Sequence, residues 1–275
     1  MAAQQRANGR EDPARLVRQG ATIYYWRRGI LLLAPSLVLD RATSPLTATL
    51  RIACEAPYLI EVEGQTLTTR ASLVAPRAER RRVVAVNSYI ALFYFPLEMS
   101  EYAGIKEVLA GQAIIELPFE PFEPLLPDLR LAMTGDLPVN RARALIDAAV
   151  EAITGRRMPT YPQRDPRIDT ACALIDQLPL DEVRLDTLAR RVNLSESRLR
   201  ELFKLQVGCT IGEYARWRSI WHMTSHWQEG RTFTELAVDA GFHDLAHADR
   251  VFLETFGISP SSVIDSRYFK LVPCE

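Results

Sequence analysis

RLDTLARRVNLSESRLRELFKLQVG, from Arg184 to Gly208, holds two short amphipathic patterns joined by a tight turn. Leu185, Leu188, Ala189 and Val192 recur at helical spacing and form one apolar stripe. Asn193 suits a turn because it tolerates positive φ, and Ser195 is placed to cap a second helix. That helix carries Leu199, Leu202 and Phe203 on one face and Ser197, Arg198, Arg200, Glu201 and Lys204 on the other. Two short helices with a polar, arginine-bearing outer face predict a helix-turn-helix, with the second helix in the major groove of double-stranded DNA. Arginine is shaped for this because its guanidinium grips a guanine edge through two hydrogen bonds at once. A charged outer face is also what a merely solvated helix presents, so this unit alone does not decide the matter.

The same pattern recurs downstream. TFTELAVDAGF (Thr232–Phe242) opens with a capping box, Thr232 with Glu235, and turns at Gly241. The helix that follows carries Leu245, Ala248, Val251, Phe252 and Phe256 and ends at FGISPS. A long helix over about residues 210–227 joins the two units. Repetition of helix, turn, helix and terminal phenylalanine strengthens the reading well beyond either copy.

Residues 167–268 therefore form one helical unit. Upstream, GRRMPTYPQRDPR (Gly155–Arg167) loses all periodicity in proline, arginine and polar residues, and residues 155–166 read as a linker. Before it, Pro138 and Gly155 bracket a helix over Val139–Thr154. Its narrow apolar face, with Leu145, Ile146, Ala149 and Ile153, suits either packing on its own domain or a dimer seam. AIIELPFEPFEPLLPDLRLAMTG (Ala113–Gly135) reads as loop, then a helix after Pro127, and EYAGIKEVLAG as a short helix. From residue 21 to residue 96 the texture is β. IYYW, ILLL, LTATLRI, YLIEVEG, TLTTRASLVAP, RRRVVAV and YIALFYF are punctuated by Gly and Pro, as in a small barrel of the jelly-roll kind. Residues 1–20 read as a disordered lead-in.

The family resemblance follows from three stretches. LARRVNLSESRLRELFK, GCTIGEYARWR and TELAVDAGFHDLAHADRVFLETFGISPS together resemble the DNA-binding domain of the AraC/XylS family of bacterial transcription regulators. The β-rich first part is similar, by texture, to the cupin-like sensing and dimerisation domain often fused to it. The implied fold class is α+β: an N-terminal cupin-like β-barrel with flanking helices over residues 21–154, and an all-α domain with two helix-turn-helix units over 167–268. The resemblance implies two recognition helices in successive major grooves. It assigns base reading to Ser197, Arg198, Arg200 and Glu201 in the first unit, and to Leu245, Ala246, His247, Asp249 and Arg250 in the second. It further implies an activator in the cytoplasm that works as a homodimer, contacts RNA polymerase and answers a small-molecule effector.

The two units differ in charge. From Arg184 to Arg218, eight arginines and lysines face Asp186, Glu196, Glu201 and Glu213. From Glu229 to Asp265 only Arg231 and Arg250 stand against Glu229, Glu235, Asp239, Asp244, Asp249, Glu254 and Asp265. Phosphate contacts drive affinity through counterion release, so the first unit is expected to supply most of it. The acids of the second either read a restricted set of bases or cap the helix and face solvent, as Asp244 suits. An adaptor in which the acidic unit contacts protein, or a regulator governed by a protein partner with no ligand, are the other readings.

The rest of the composition narrows the functional classes. A net charge of −1 requires any nucleic-acid role to come from a local patch. Cys54, Cys172, Cys209 and Cys274 form no CxxC pair, consistent with reduced thiols and no zinc framework. The longest apolar run, ILLLAPSLVL, is about half a membrane span, so no membrane role is expected. All histidines lie beyond residue 221, as His222/His226 and His243/His247, and no carboxylate motif completes either pair. Catalytic residues, metal and cofactors are accordingly not expected. For an effector, Tyr24, Trp26, Phe93 and Phe95 are candidates to line an apolar pocket, with Arg51 or Arg77 holding a carboxylate. The run AERRRVVAV (Ala78–Val86) reads either as an edge strand protected by charge or as an anion site.

Overall fold

The computed structural model describes residues 20–26, 29–86, 88–156, 164–226, 231–257 and 269–274. The lead-in before residue 20 and most of the linker lie outside the described residues.

The β region runs as β1 (Ala21–Trp26), β2 (Gly29–Ala34), β3 (Leu37–Leu39), β4 (Ala48–Ala53), β5 (Tyr58–Val62), β6 (Gln65–Thr69), β7 (Ala71–Val74), β8 (Arg80–Ala85) and β9 (Ile90–Phe95). Helix α1 (Tyr102–Leu109), strand β10 (Ile114–Glu116), a 3-10 turn (Glu120–Leu125), α2 (Leu126–Met133) and α3 (Val139–Thr154) complete the N-terminal part. Helices α4 (Pro166–Ile175), α5 (Leu185–Arg191), α6 (Glu196–Val207), α7 (Ile211–Ser225), α8 (Phe233–Asp239) and α9 (Leu245–Phe256) follow, and β11 (Phe269–Pro273) ends the described chain.

The strands form a seven-stranded sheet, β10-β7-β4-β9-β2-β1-β11, facing a four-stranded sheet, β3-β8-β5-β6. The overall class is α+β, but the expected barrel is not closed. The reason lies in the larger sheet: every residue of β1, β2, β4 and β9 is buried. One of its faces carries Leu31, Leu33, Leu50, Phe93 and Phe95 and packs on α1, α2 and α3. The other, with Ile30, Leu32, Leu92 and Tyr94, meets both the smaller sheet and the C-terminal helices. A sheet covered on both faces has no outward side to offer as a barrel wall, and its strands read as continuous apolar runs. β5 instead alternates buried and half-buried residues, as befits a sheet with one wet face.

Three expectations change with this topology. Strand β8 lies between β3 and β5, so Arg80–Ala85 is not an edge strand. Leu145, Ile146, Ala149 and Ile153 of α3 are buried in their own domain against the larger sheet. That face is spent within the chain and is not a dimer seam. Ile114–Glu116, read as loop, is a strand that pairs antiparallel with β7.

Strand β11 lies beyond the helical unit expected over residues 167–268. β11 pairs parallel with β1 from Ala21↔Phe269 to Tyr25↔Pro273, returning to the N-terminal sheet. Cys274 donates its amide to the Tyr25 carbonyl at 2.9 Å, and its own carbonyl accepts from Arg143 Nε at 2.7 Å. The C-terminal strand thus ties the end of the described chain to the N-terminal sheet and, through Arg143, to α3.

Candidate nucleic-acid interface

Helices α5 and α6 are set by local chemistry. Asn193 takes φ 54°, turning the chain, and the Ser195 hydroxyl accepts from the Arg198 amide. Gly208 closes α6 in the left-handed region. Leu199, Leu202 and Phe203 are buried against Leu188, Ala189 and Ile168, and Phe203 meets the Tyr214 ring edge-on at 5.5 Å. The opposite face is open: Ser197, Arg198, Arg200, Glu201 and Lys204 are all exposed. Arg198 reaches Glu201 at 2.8 Å and Arg200 reaches Glu196 at 3.4 Å, both along the same helix. Exposed pairs of this kind are worth about 0–1 kcal/mol, so a phosphate or a guanine edge displaces the carboxylate at little cost.

Helices α8 and α9 repeat the geometry with different charge economics. Thr232 and Glu235 close the capping box, and Asp239 pairs with Arg231. Asp244 caps α9, its carboxylate accepting from the His247 amide at 2.7 Å. That hydrogen bond and the nearby His243 hold the Asp244 carboxyl below its ordinary range. Gly241, at φ 78°, sits so near the Leu180 amide and Asp181 that a Cβ would fall 2.3 Å from the former. With the Leu180 amide donating to the Ala240 carbonyl, the turn of the second unit is fixed to the segment leading into the first.

The C-terminal half of α9 packs partly against the N-terminal domain. Phe256 lies edge-on to Tyr94 at 5.5 Å and tilted on Trp217 at 6.2 Å. The Glu254 carbonyl accepts from the Ser44 amide at 2.9 Å. His247, Arg250 and Glu254 line a cleft of about 630 Å³ between the domains, together with Arg77, Arg216 and Trp217. Asp249 is half-buried, and desolvation pushes its carboxyl up. The acids of the second unit therefore have separate occupations: Glu235 and Asp244 cap, Asp239 pairs and Glu254 lines the cleft.

Sequence reasoning missed the contacts that hold the units to the sheets. Arg218 of α7 is buried and meets Asp176 at 2.7 Å and Glu98, from the loop after β9, at 3.9 Å. Burial pushes the Glu98 carboxyl up to about 7. Arg77, proposed to hold an effector, donates instead to Glu213 at 3.1 Å and to the Gly208 carbonyl at 3.2 Å. Burial alone would raise Glu213, but hydrogen bonds from Arg77 and Thr210 outweigh it and hold the carboxyl at about 2. A single arginine after a proline-bounded turn gives no signal of such a role.

The aromatic effector candidates do not converge with the arginines. Tyr24, Trp26, Phe93 and Phe95 fill the layer between the larger sheet and α1–α3, while Arg51 lies on the opposite face of β4. Tyr24 is committed further, its hydroxyl bonded to the main chain of Leu137. Among the described residues no group of three or more His, Cys, Asp or Glu is arranged to hold a metal ion. No described helix is long and apolar enough to cross a membrane.

A family model described as a helix-turn-helix domain matches residues 188–266, which spans the paired units from α5 onward. The C-terminal region is a helix-turn-helix domain of the AraC type. This AraC-type domain is similar to the protein named Probable transcription factor PqrA of Proteus vulgaris, 31% identical over 80 residues. The match spans 29% of this chain and 66% of that protein's length, just short of two thirds. In fold the whole chain is similar to an apo variant of ToxT from Vibrio cholerae, with a TM-score of 0.56 at 10% identity, over 86% of this chain and 97% of that one. It is also similar to ToxT bound to (E)-4-(8-methylnaphthalen-1-yl)but-3-enoic acid, with a TM-score of 0.51 at 8% identity, over 88% and 96% of the respective chains. At such identities the likeness is one of fold, and it joins the AraC-type domain to the two-sheet domain in the same order.

Proposed function

We propose that this protein is a sequence-specific, DNA-binding transcription regulator of the cytoplasm, in which α6 supplies most of the DNA affinity. The observation that carries the reading is the open outer face of α6. Arg198, Arg200 and Lys204 stand exposed beside Ser197, on a helix whose other face is locked in the core of the AraC-type domain. Groove-reading helices need both, a rigid inner face and free donors outside. In α9 the would-be readers His247 and Arg250 line the interdomain cleft, which supports a lesser part for the second unit while the domains are so arranged.

Effector control is the second element of the reading. The N-terminal domain and the AraC-type domain share one hydrophobic cluster, so a molecule bound among the strands acts on α7 and α9 through packed contacts. A fold neighbour holds a small carboxylic acid, which favours a ligand over a purely protein-borne signal. RNA polymerase and a second copy of the chain complete the proposal, as for an activator. A second copy would have to use a surface other than the buried face of α3. Selection of duplexes from a random library by the purified protein tests the central reading. Enrichment of one motif supports it; recovery of random sequence at physiological salt, with and without cell extract, counts against it. Sedimentation of the same protein with the enriched duplex reads the number of copies bound.

A further inference from the structure

Two arginines lie between the sheets with no carboxylate among the described residues to meet them. Arg51, on β4, is 3% exposed and Arg80, on β8, is 2% exposed. Arg80 Nη2 donates across the gap to Thr49 Oγ1 of the larger sheet at 2.9 Å. Arg51 Nε and Nη1, Arg80 Nε and the buried Thr47 hydroxyl have no hydrogen-bond partner among the described residues. Alongside, the Tyr58 and Ser72 hydroxyls share a 2.5 Å contact that also crosses between the sheets, and Ser72 is the register partner of Arg51.

Guanidinium groups stay charged in proteins, and an unpaired buried charge is among the costliest features a core can hold. The ionisable groups bearing on Arg80 are Arg51, Tyr94 and Tyr58, and those bearing on Arg51 are Tyr58 and Tyr94; no carboxylate is among them. Burial pushes both below the ordinary arginine range, and Arg51 pushes Arg80 further. Among the described residues, Arg51 thus opposes the charge on Arg80, and only the hydroxyls of Tyr94 and Tyr58 favour it. A cluster of orphaned donors of one sign, aimed into a protein interior, calls for an acceptor of the opposite sign.

We propose that Arg51 and Arg80 form, between the two sheets, the binding site for an oxyanion, the carboxylate or phosphate group of this regulator's effector. The inference rests on the effector-controlled reading and gives it a chemical class. The site is also wired to the DNA-binding region. Arg80 and Thr43 exchange both main-chain hydrogen bonds at 2.9 Å, and the next residue, Ser44, donates to the Glu254 carbonyl of α9. Thr47, whose buried hydroxyl also lacks a partner among the described residues, ends the same loop. An oxyanion that draws the two arginines together moves β8 and this loop, and with it the anchor of the second recognition helix.

The test is the thermal unfolding of the full chain in acetate, benzoate and inorganic phosphate, each against chloride at equal ionic strength. At least one oxyanion is expected to raise the unfolding temperature by about 5 °C at a concentration a hundredfold above its Kd, in a saturable way. Arg51→Met and Arg80→Met should each abolish that rise while unfolding cooperatively in chloride, because apolar replacement of a buried unpaired charge is tolerated. If one variant fails to fold, the wild-type titration and the other variant decide. Acetate and benzoate acting alone assign a carboxylate, and phosphate acting alone assigns a phosphate group. The proposal is overturned if no oxyanion departs from chloride, or if the variants keep the shift. DNA binding measured in parallel separates this inference from the reading beneath it. A stabilising oxyanion that leaves DNA binding unchanged supports the site and removes its regulatory role. A neutral compound that alters DNA binding, with every oxyanion inert, removes the site and leaves effector control standing.

Discussion

Helices α6 and α9 are each twelve residues long, opened by a side-chain oxygen cap and closed by a left-handed glycine, yet they meet different surroundings. The outer face of α6 has solvent before it. Its arginines are held only by exposed carboxylates on the same helix, a hold that any phosphate can replace. The outer face of α9 turns partly to the N-terminal domain, where Phe256 packs on Tyr94 and the Glu254 carbonyl takes a hydrogen bond from Ser44. Identical backbone plans thus serve separate ends: one helix offers its charges outward, and the other spends its own on capping and on the domain contact. The difference teaches that net charge along a recognition helix is uninformative until each charged group has been given its partner.

The largest effect expected from breaking this contrast is on α6. Arg198→Ala combined with Arg200→Ala should lower affinity for the selected duplex about 100-fold or more, because each lost base or phosphate contact is worth about 1–3 kcal/mol. The slope of log affinity against log salt should flatten by about two if both contact phosphates, read by anisotropy across a salt series. Thermal unfolding should be unchanged, since both side chains are exposed.

Next in size is the domain contact. Phe256→Ala removes a ring shared by Tyr94, Trp217 and Phe252 and should cost about 2–4 kcal/mol in denaturant unfolding. It should also lengthen the DNA footprint, by freeing α9. A footprint that stays short would break the proposed link between this contact and a lesser part for the second unit.

Glu98 sharpens the account through pH. Its folded-state carboxyl is raised to about 7, above the unfolded value, so its stabilising contribution is complete below the unfolded value and lost as pH rises through about 7. Glu98→Gln should therefore raise the unfolding temperature above pH 7 and flatten its decline between about pH 5 and 7. An unchanged pH profile would show that Glu98 is compensated by Arg218 more fully than its 3.9 Å separation implies.

Smallest are the effects within α9. Arg250→Ala should change affinity for DNA by less than about threefold, against the loss of a full contact in α6. Asp244→Ala should lower thermal stability slightly, through loss of the cap, and leave DNA binding unaltered. A strong loss of binding in either variant would return α9 to the groove.

What was legible in the sequence was whatever local chemistry decides. Pro138 and Gly155 bracket α3 because one suits the entry to a helix and the other adopts φ 65° at its end. Asn193, Ser195 and the Thr232–Glu235 box mark the turns and caps of both units for equally local reasons. The expectation that Asp244 caps α9 came from the same source. What was not legible depends on partners distant in the chain. The apolar face of α3 looks alike whether it meets a sheet or a second copy. Continuous runs such as GILLLA and IALFYF signal burial on both faces, yet the barrel reading treated them as one wall of a closed cylinder. β11 joins β1 across almost the whole chain, and Arg51 and Arg80 become neighbours only because β4 and β8 fall in facing sheets.

Hydroxyl-radical footprinting of the full chain on its selected duplex tests the central claim most directly. The account predicts deep protection over one major groove per protomer, abolished by Arg198→Ala with Arg200→Ala and indifferent to Arg250→Ala. Equal protection over two successive grooves, one of them lost in Arg250→Ala, would contradict it.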